Sequence, residues 1–280
     1  MPPQITTILT AFAAKLRLQR YAPSSIKAYT HALGKFLAAF KDCDITQLNV
    51  QHIEGFIQQL QQHQNISPAY QKQILAAIGK FYLLFYQRKL ALAVLYPKRH
   101  TKTLPKYLTL TEVKRLLQHC SNKKHLCIIQ LLYGCGLRVS EVVTLKIEDI
   151  DSAAMRIAIR APKGKKDRVV PLPKLLLENL RLYYSSHHPK EFLFEGQTGG
   201  EYSVKSIQNF IKKCALDAQL IKNVTPHMLR HSYATHQLEQ GVHIQNVQKL
   251  LGHKSIKTTE IYTHVVDVSK GNIPSPLDHL

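Results

Sequence analysis

Leu131-Leu132-Tyr133-Gly134-Cys135-Gly136-Leu137-Arg138-Val139-Ser140-Glu141 is the stretch on which the reading of the chain turns. The run from Leu126 to Tyr133 is apolar and of helical length, and Gly134 or Gly136 closes it. Past that break Arg138 and Glu141 stand at i and i+3, on one face of a following helix. Toward the C terminus, Met155 to Arg160 alternates apolar and polar residues. Arg168-Val169-Val170-Pro171-Leu172 follows across the turn Pro162-Lys163-Gly164-Lys165-Lys166-Asp167, and the two runs predict a hairpin. From Val204 onward the pattern is helical again, with breaks at Thr225-Pro226 and at Gly252. Toward the N terminus, Thr109 or Thr111 caps a helix bearing Val113, Leu116 and Leu117. Residues 110–280 therefore read as one domain, mainly α with a small antiparallel β-sheet.

Residues 98–109 are basic, bracketed by prolines and without periodicity, which is the signature of a linker. Ahead of them, residues 1–97 are helical almost throughout. Ile5, Ile8, Leu9, Phe12 and Leu16 keep helical spacing, Pro23-Ser24-Ser25 offers a second start, and Ser67-Pro68 opens a helix carrying Ile74, Ile78 and Phe81. Four helices without a strand make a small all-α domain. It holds 10 Lys and Arg against 3 acids, together with many Gln and Asn that can donate to phosphates and bases.

The 280-residue chain has 38 Lys and Arg against 18 Asp and Glu, a formal charge of +20, so its surface attracts polyanions and nucleic acid is the first partner to consider. Five cysteines without a C-x-x-C pair suggest neither a disulfide framework nor a thiolate zinc site, and fit a reducing cytoplasm. No apolar run approaches the ~18 residues of a membrane span. No G-x-G-x-x-G or P-loop is present, so no nucleotide cofactor is expected.

The candidate chemistry lies in the second domain. Thr225 as cap with Pro226 in the first turn fixes a helix start, and His227 and Arg230 at i and i+3 then point the same way. A phosphodiester would meet an imidazole and a planar guanidinium together. His253 follows Leu251-Gly252, and Tyr262 falls on a helix that Ser255 caps. A metal site built on His227, His231 and His236 is disfavoured because Met228 stands where a zincin carries its glutamate, and no metal is expected. Converging acids for a two-metal nuclease are also missing, since Glu148, Asp149 and Asp151 form the one acidic cluster and precede a strand. What remains is phosphodiester chemistry with protein cations alone, in which preplaced arginines stabilise the charge developing on phosphorus oxygens. A tyrosine hydroxyl can then act as nucleophile, and a loop lysine can protonate the leaving oxygen.

These motifs, Leu131 to Glu141, His227-Met228-Leu229-Arg230-His231, Leu251-Gly252-His253 and Tyr262, resemble those of the tyrosine site-specific recombinase (integrase) family, in its order and spacing and over nearly the whole chain. The likeness is to the Xer and integron-integrase branch. It implies a two-domain DNA clamp, with a helical, SAM-like core-binding domain at 1–97 and a tyrosine-recombinase catalytic domain at 110–280. It further implies that Arg138 and Arg230 clamp the scissile phosphate, Tyr262 attacks it, Lys163 protonates the 5′-oxygen, His227 takes part in proton transfer, and His253 hydrogen-bonds the phosphate. Glu141 orients the site. Ala161-Pro162 before the lysine is unusual for the family, and Lys165 or Lys166 offers an alternative general acid. Tyr183, Tyr184, Tyr202 and Tyr233 do not follow a Leu-Gly-His motif and compete poorly as nucleophile. The implied partner is double-stranded DNA with paired recombination sites, held by a homotetramer in which the tail 263–280 packs into a neighbouring subunit, with or without a second recombinase or a DNA-bending protein. Two rivals share the fold: a catalytically silent DNA-binding regulator and a type IB topoisomerase.

Overall fold

The computed structural model describes residues 3–98, 106–160, 167–197, 199–253, 255–260 and 262. Its contacts divide the chain into two compact units, Met1–Lys102 and Thr103–Leu280. Part of the expected linker (99–105), the hairpin lysines Lys163, Lys165 and Lys166, and the tail 263–280 lie outside the described residues.

The first unit is built of α1 (Pro3–Leu18), α2 (Pro23–Ala39), α3 (Val50–Gln64) and α4 (Pro68–Tyr86). Local chemistry sets their ends. Pro23 occupies the first turn of α2 with Ala22 as its uncapped lead-in, Asn49 caps α3 by accepting from the His52 N–H, and Ser67 caps α4 by accepting from the Tyr70 N–H at 3.2 Å. The apolar faces meet in one core of Phe12, Leu16, Leu33, Phe36, Ile53, Ile74, Ile78 and Phe81, all fully buried. Phe36 is the hub, with ring centroids 5.5 Å from Phe56 and 6.4 Å from Tyr82. Among the described residues, no helix is long and apolar enough to cross a membrane.

The second unit contains α5 (Leu110–Gln118), α6 (Lys123–Gly134), α7 (Val139–Val143), strands β1 (Ile150–Asp151), β2 (Arg156–Ile159) and β3 (Arg168–Pro171), then α8 (Lys174–His187), α9 (Val204–Asp217), α10 (Pro226–Glu239), α11 (Ile244–Leu251) and α12 (Lys257–Glu260). The fold class is the expected one, mainly helical with a small antiparallel sheet. That sheet has three strands in the order β1-β2-β3, the first too short to announce itself by alternation. Ile157 pairs with Val170 and Ile159 with Arg168, so one face of the hairpin buries Ile157, Ile159 and Val170. At the centre of the unit α6 packs against α8, α9 and α10, with Cys127, Ile128, Leu131 and Leu132 fully buried. Leu108, ahead of α5, is also buried, and its N–H donates to Ser232 Oγ on α10 at 2.9 Å.

Because Phe36 is fully buried against Phe40, Phe56 and Tyr82, Phe36→Ala leaves a cavity that the surrounding core closes only in part. The expected loss is about 3 to 5 kcal/mol in the urea unfolding transition of that unit. Far-UV circular dichroism across a urea titration checks it.

Candidate active site

Gly136 ends the run that begins with α6, at φ +62°, where a side chain on it would strike the Tyr233 ring. That turn aims the Gly136 carbonyl at α10, and Arg230 Nη1 donates to it at 2.6 Å. Arg138 is the N-cap of α7, and Glu141 in the first turn accepts from the Arg138 N–H at 2.7 Å. The same carboxylate binds Arg138 Nη1 at 2.8 Å and takes a two-pronged bond from Arg168, at 2.8 and 2.7 Å. Arg168 Nε donates to the Leu250 carbonyl at 2.8 Å. Burial opposes ionisation of Glu141, but the hydrogen bonds from Arg168 and from the Arg138 backbone outweigh it and hold its carboxyl down at about 2.

Arg230 is 2% exposed. Its Nη2 donates to the Leu251 carbonyl and to His253 Nε2, the latter at 3.1 Å. A guanidinium has no acceptor, so His253 Nε2 must accept, and the ring proton sits on Nδ1, which donates to Thr259 Oγ1 at 2.9 Å. Burial and then Arg138 lower Arg230 to about 10, which leaves it a cation at neutral pH. His253 is lowered to about 4 by burial and then by Arg230, so it is neutral.

Thr225 caps α10 by accepting from the Met228 N–H at 3.1 Å, and Pro226 follows in the first turn. His227 is at the exposed start of this helix, its ring centroid 4.0 Å from that of His231, and burial of its ring followed by Arg230 and Arg138 lowers its pKa. Tyr262 lies in the turn after α12, where its N–H donates to the Thr259 carbonyl, rather than on a helix as the sequence suggests. It is 1% exposed, and its hydroxyl is 2.6 Å from His231 Nδ1. Burial raises its pKa, against the pull of Arg230 and Arg138. Tyr233, also on α10, is pushed up to about 12 by burial and packs against Gly136.

The fold thus brings Arg138, His227, Arg230, His253 and Tyr262 into one cluster. Lys163 belongs to the segment outside the described residues, although β3, which follows that segment, carries Arg168 into the site. Arg168 and Thr259 had no part in the site as read from the sequence, and His231 was offered only as a disfavoured metal ligand. A signal for Arg168 was present: it stands two residues before the buried Val170 and so on the inward face of its strand, where a cation needs a carboxylate. His231 at i+4 from His227 shares its helical face. Arg138 is the most open of the cations, with a side chain 40% exposed, and an anion arriving from solvent meets it first. Glu141→Gln removes the charge shared by two arginines whose ordering depends on it, and is expected to cost about 3 kcal/mol at neutral pH. In the native protein this contribution is complete above pH 4.5 and lost as pH falls toward about 2, so the two proteins converge in acid unfolding curves over that window.

Residues 106–268 match the phage integrase family, and residues 8–92 match the phage integrase N-terminal SAM-like domain. The tyrosine recombinase XerA of Thermococcus kodakarensis is 36% identical over 266 residues, covering 92% of this chain and 90% of that protein. The tyrosine recombinase XerC of Pseudomonas fluorescens is 33% identical over 276 residues, covering 92% and 91%. Among solved structures, the XerA recombinase crystal structure is 29% identical with a TM-score of 0.56, over 95% of both chains. The fold is shared with the XerH site-specific recombinase bound to palindromic difH substrate, at a TM-score of 0.74, 23% identity and 87% and 77% coverage. It is shared likewise with a lambda integrase dimer bound to a COC' core site, at 0.73, 16% identity and 96% and 97% coverage. With the arginine pair, the histidines and the buried tyrosine assembled in one place and both parts of the chain matched, the protein belongs to the phage integrase family, as a tyrosine recombinase of the Xer-like branch.

Proposed function

We propose that this protein recombines double-stranded DNA at specific paired sites, with Tyr262 as nucleophile and Arg138 and Arg230 as the clamp on the scissile phosphate. The observation that carries the reading is the convergence of both guanidinium groups, linked through Glu141 and Gly136, on the neighbourhood of the Tyr262 hydroxyl. Attack by the tyrosine oxygen builds negative charge on phosphorus oxygens, and the preplaced cations stabilise that charge more than they stabilise the ground state. The product is a 3′-phosphotyrosyl ester. Because the ester keeps the energy of the broken bond, a free 5′-hydroxyl can rejoin it without ATP or a metal. Lys163, by its place in the hairpin, is the general acid for the 5′-oxygen; His227 takes part in proton transfer, and His253 donates to the phosphate once the anion draws Arg230 away and the ring proton moves to Nε2, with Thr259 Oγ1 then donating to Nδ1.

Two sites held by four protomers and exchanged a strand pair at a time through a Holliday junction complete the reading, with residues 263–280 as the contact between neighbouring subunits. The cell compartment is the cytoplasm, where DNA and reduced thiols coexist. All five cysteines are free in the structure. The recombinases among its relatives favour this over a silent regulator or a relaxing topoisomerase.

The test is to incubate the protein with fragmented DNA from its source, denature it, and sequence whatever stays covalently attached. One short inverted-repeat site, recovered with the native protein and not with Tyr262→Phe, is the expected result. Scattered adducts would favour the topoisomerase, and adducts retained by the Phe variant would remove Tyr262 as nucleophile. The Phe variant should bind DNA undiminished, with log affinity falling against log salt at about −0.9 per phosphate contact.

A further inference from the structure

A phenol attacks phosphorus effectively only when something accepts its proton, so the atom bonded to the Tyr262 hydroxyl deserves a role of its own. That atom is Nδ1 of His231, 2.6 Å away. The two rings are 5.2 Å apart and tilted by 56°, which presents the imidazole nitrogen to the hydroxyl at the end of the phenol. His227, to which the proposed function gives a part in proton transfer, packs its ring against that of His231, with ring centroids 4.0 Å apart. Helix α10 fixes this arrangement, since His231 directly follows the buried Arg230 and sits one turn after His227.

We propose that His231 is the proton acceptor for Tyr262 in strand cleavage, a role that rests on the recombinase reading and adds a catalytic residue to it. With the ring proton on Nε2, the hydroxyl donates to Nδ1. As the tyrosine Oη–P bond forms, the Oη–H bond breaks and its proton passes to Nδ1. The P–O5′ bond breaks, and the 5′-oxygen leaves with the electron pair and takes a proton from the general acid. In rejoining, the 5′-hydroxyl attacks phosphorus and returns its proton to the deprotonated general acid, the tyrosine Oη–P bond breaks, and the imidazolium of His231 gives its proton back to the departing tyrosine oxygen.

The surroundings tie this transfer to the presence of substrate. The groups facing His231 are His227 and Arg230 on α10, His253 after α11, and Tyr262 after α12. Burial, then His227 and Arg230, lower His231 to about 4, so the ring is neutral and its nitrogen free to accept. While no anion is bound, burial and the nearby Arg230 charge also make it a weak base, and the phenol stays protonated. A phosphate seated against Arg138 and Arg230 offsets their charge and raises the basicity of the imidazole where and when the attack takes place.

The experiment uses the full-length protein and a duplex carrying the site recovered by covalent capture, with sulfur in place of the scissile 5′-bridging oxygen. A thiolate leaves without a general acid, so the rate of adduct formation in a single turnover reports activation of the nucleophile. Measured from about pH 6 to about pH 9, His231→Ala should be slower by ~10² to 10⁴ at neutral pH, with the deficit shrinking as hydroxide takes over the proton. His231→Asn can place an oxygen near the Nδ1 position and accept the hydrogen bond but not the proton. It should melt like the native protein, bind the duplex equally well and be as slow as the Ala variant. A native rate in His231→Asn, or a deficit in both variants that does not change with pH, would overturn the assignment and leave His231 a holder of the ring. Absence of any adduct with the native protein, or an adduct with Tyr262→Phe, would instead bring down the recombinase reading itself.

Discussion

One buried carboxylate makes the site possible. Like charges about 4 Å apart repel by about 4 kcal/mol at the effective dielectric of a protein, so three arginines cannot share a pocket without a counter-charge. Glu141 supplies it, with one oxygen bonded to both Arg138 and Arg168 and the other to Arg168 and the Arg138 backbone. Arg230 stays 3.9 Å from this carboxylate and is held by backbone carbonyls of Gly136 and Leu251 instead. The carboxylate is nearly consumed by its two partners, and Arg230 keeps most of its positive charge for an incoming anion. The result is a set of cations fixed before the substrate arrives, which is what electrostatic stabilisation of a transition state requires.

Helix α10 distributes the rest. His227, Arg230 and His231 face the pocket, while Met228, Leu229 and Tyr233 bury themselves in the packing around them. Ser232 on the same helix takes the Leu108 N–H, and His236 shares a hydrogen bond with Tyr133 on α6 at 3.0 Å. The helix is therefore locked on its far side by the start of the second unit and by the central helix. The face that carries His227, Arg230 and His231 inherits that rigidity, and a shift of α10 would displace two histidines and an arginine together.

Much of this was legible before folding because it depends on local rules. The start of α10 follows from Thr225-Pro226, the end of the α6 run from a glycine that must take positive φ, and the hairpin from alternation on either side of its turn. Arg138 with Glu141, and His227 with Arg230, could be placed on shared faces by helical spacing alone. Strand β1 was too short for any period to reveal it, and Arg168 was hidden because its partner Glu141 lies 27 positions away. A bond between residues that far apart has no periodic signature in the chain.

The sequence by itself determined the helical class of the fold, its small sheet, its basic character and the residue types of the site, since these follow from periodicity, capping and charge. Tertiary structure decided which of those residues touch. It chose Arg168 over other cations as the partner of Glu141, put the tautomer of His253 under the control of Arg230, and set the Tyr262 hydroxyl against His231 rather than His227. Such choices depend on where four separate helix ends and one strand meet within a few ångströms. Only packing fixes positions to that tolerance, because side-chain directions from distant segments are set by the core between them.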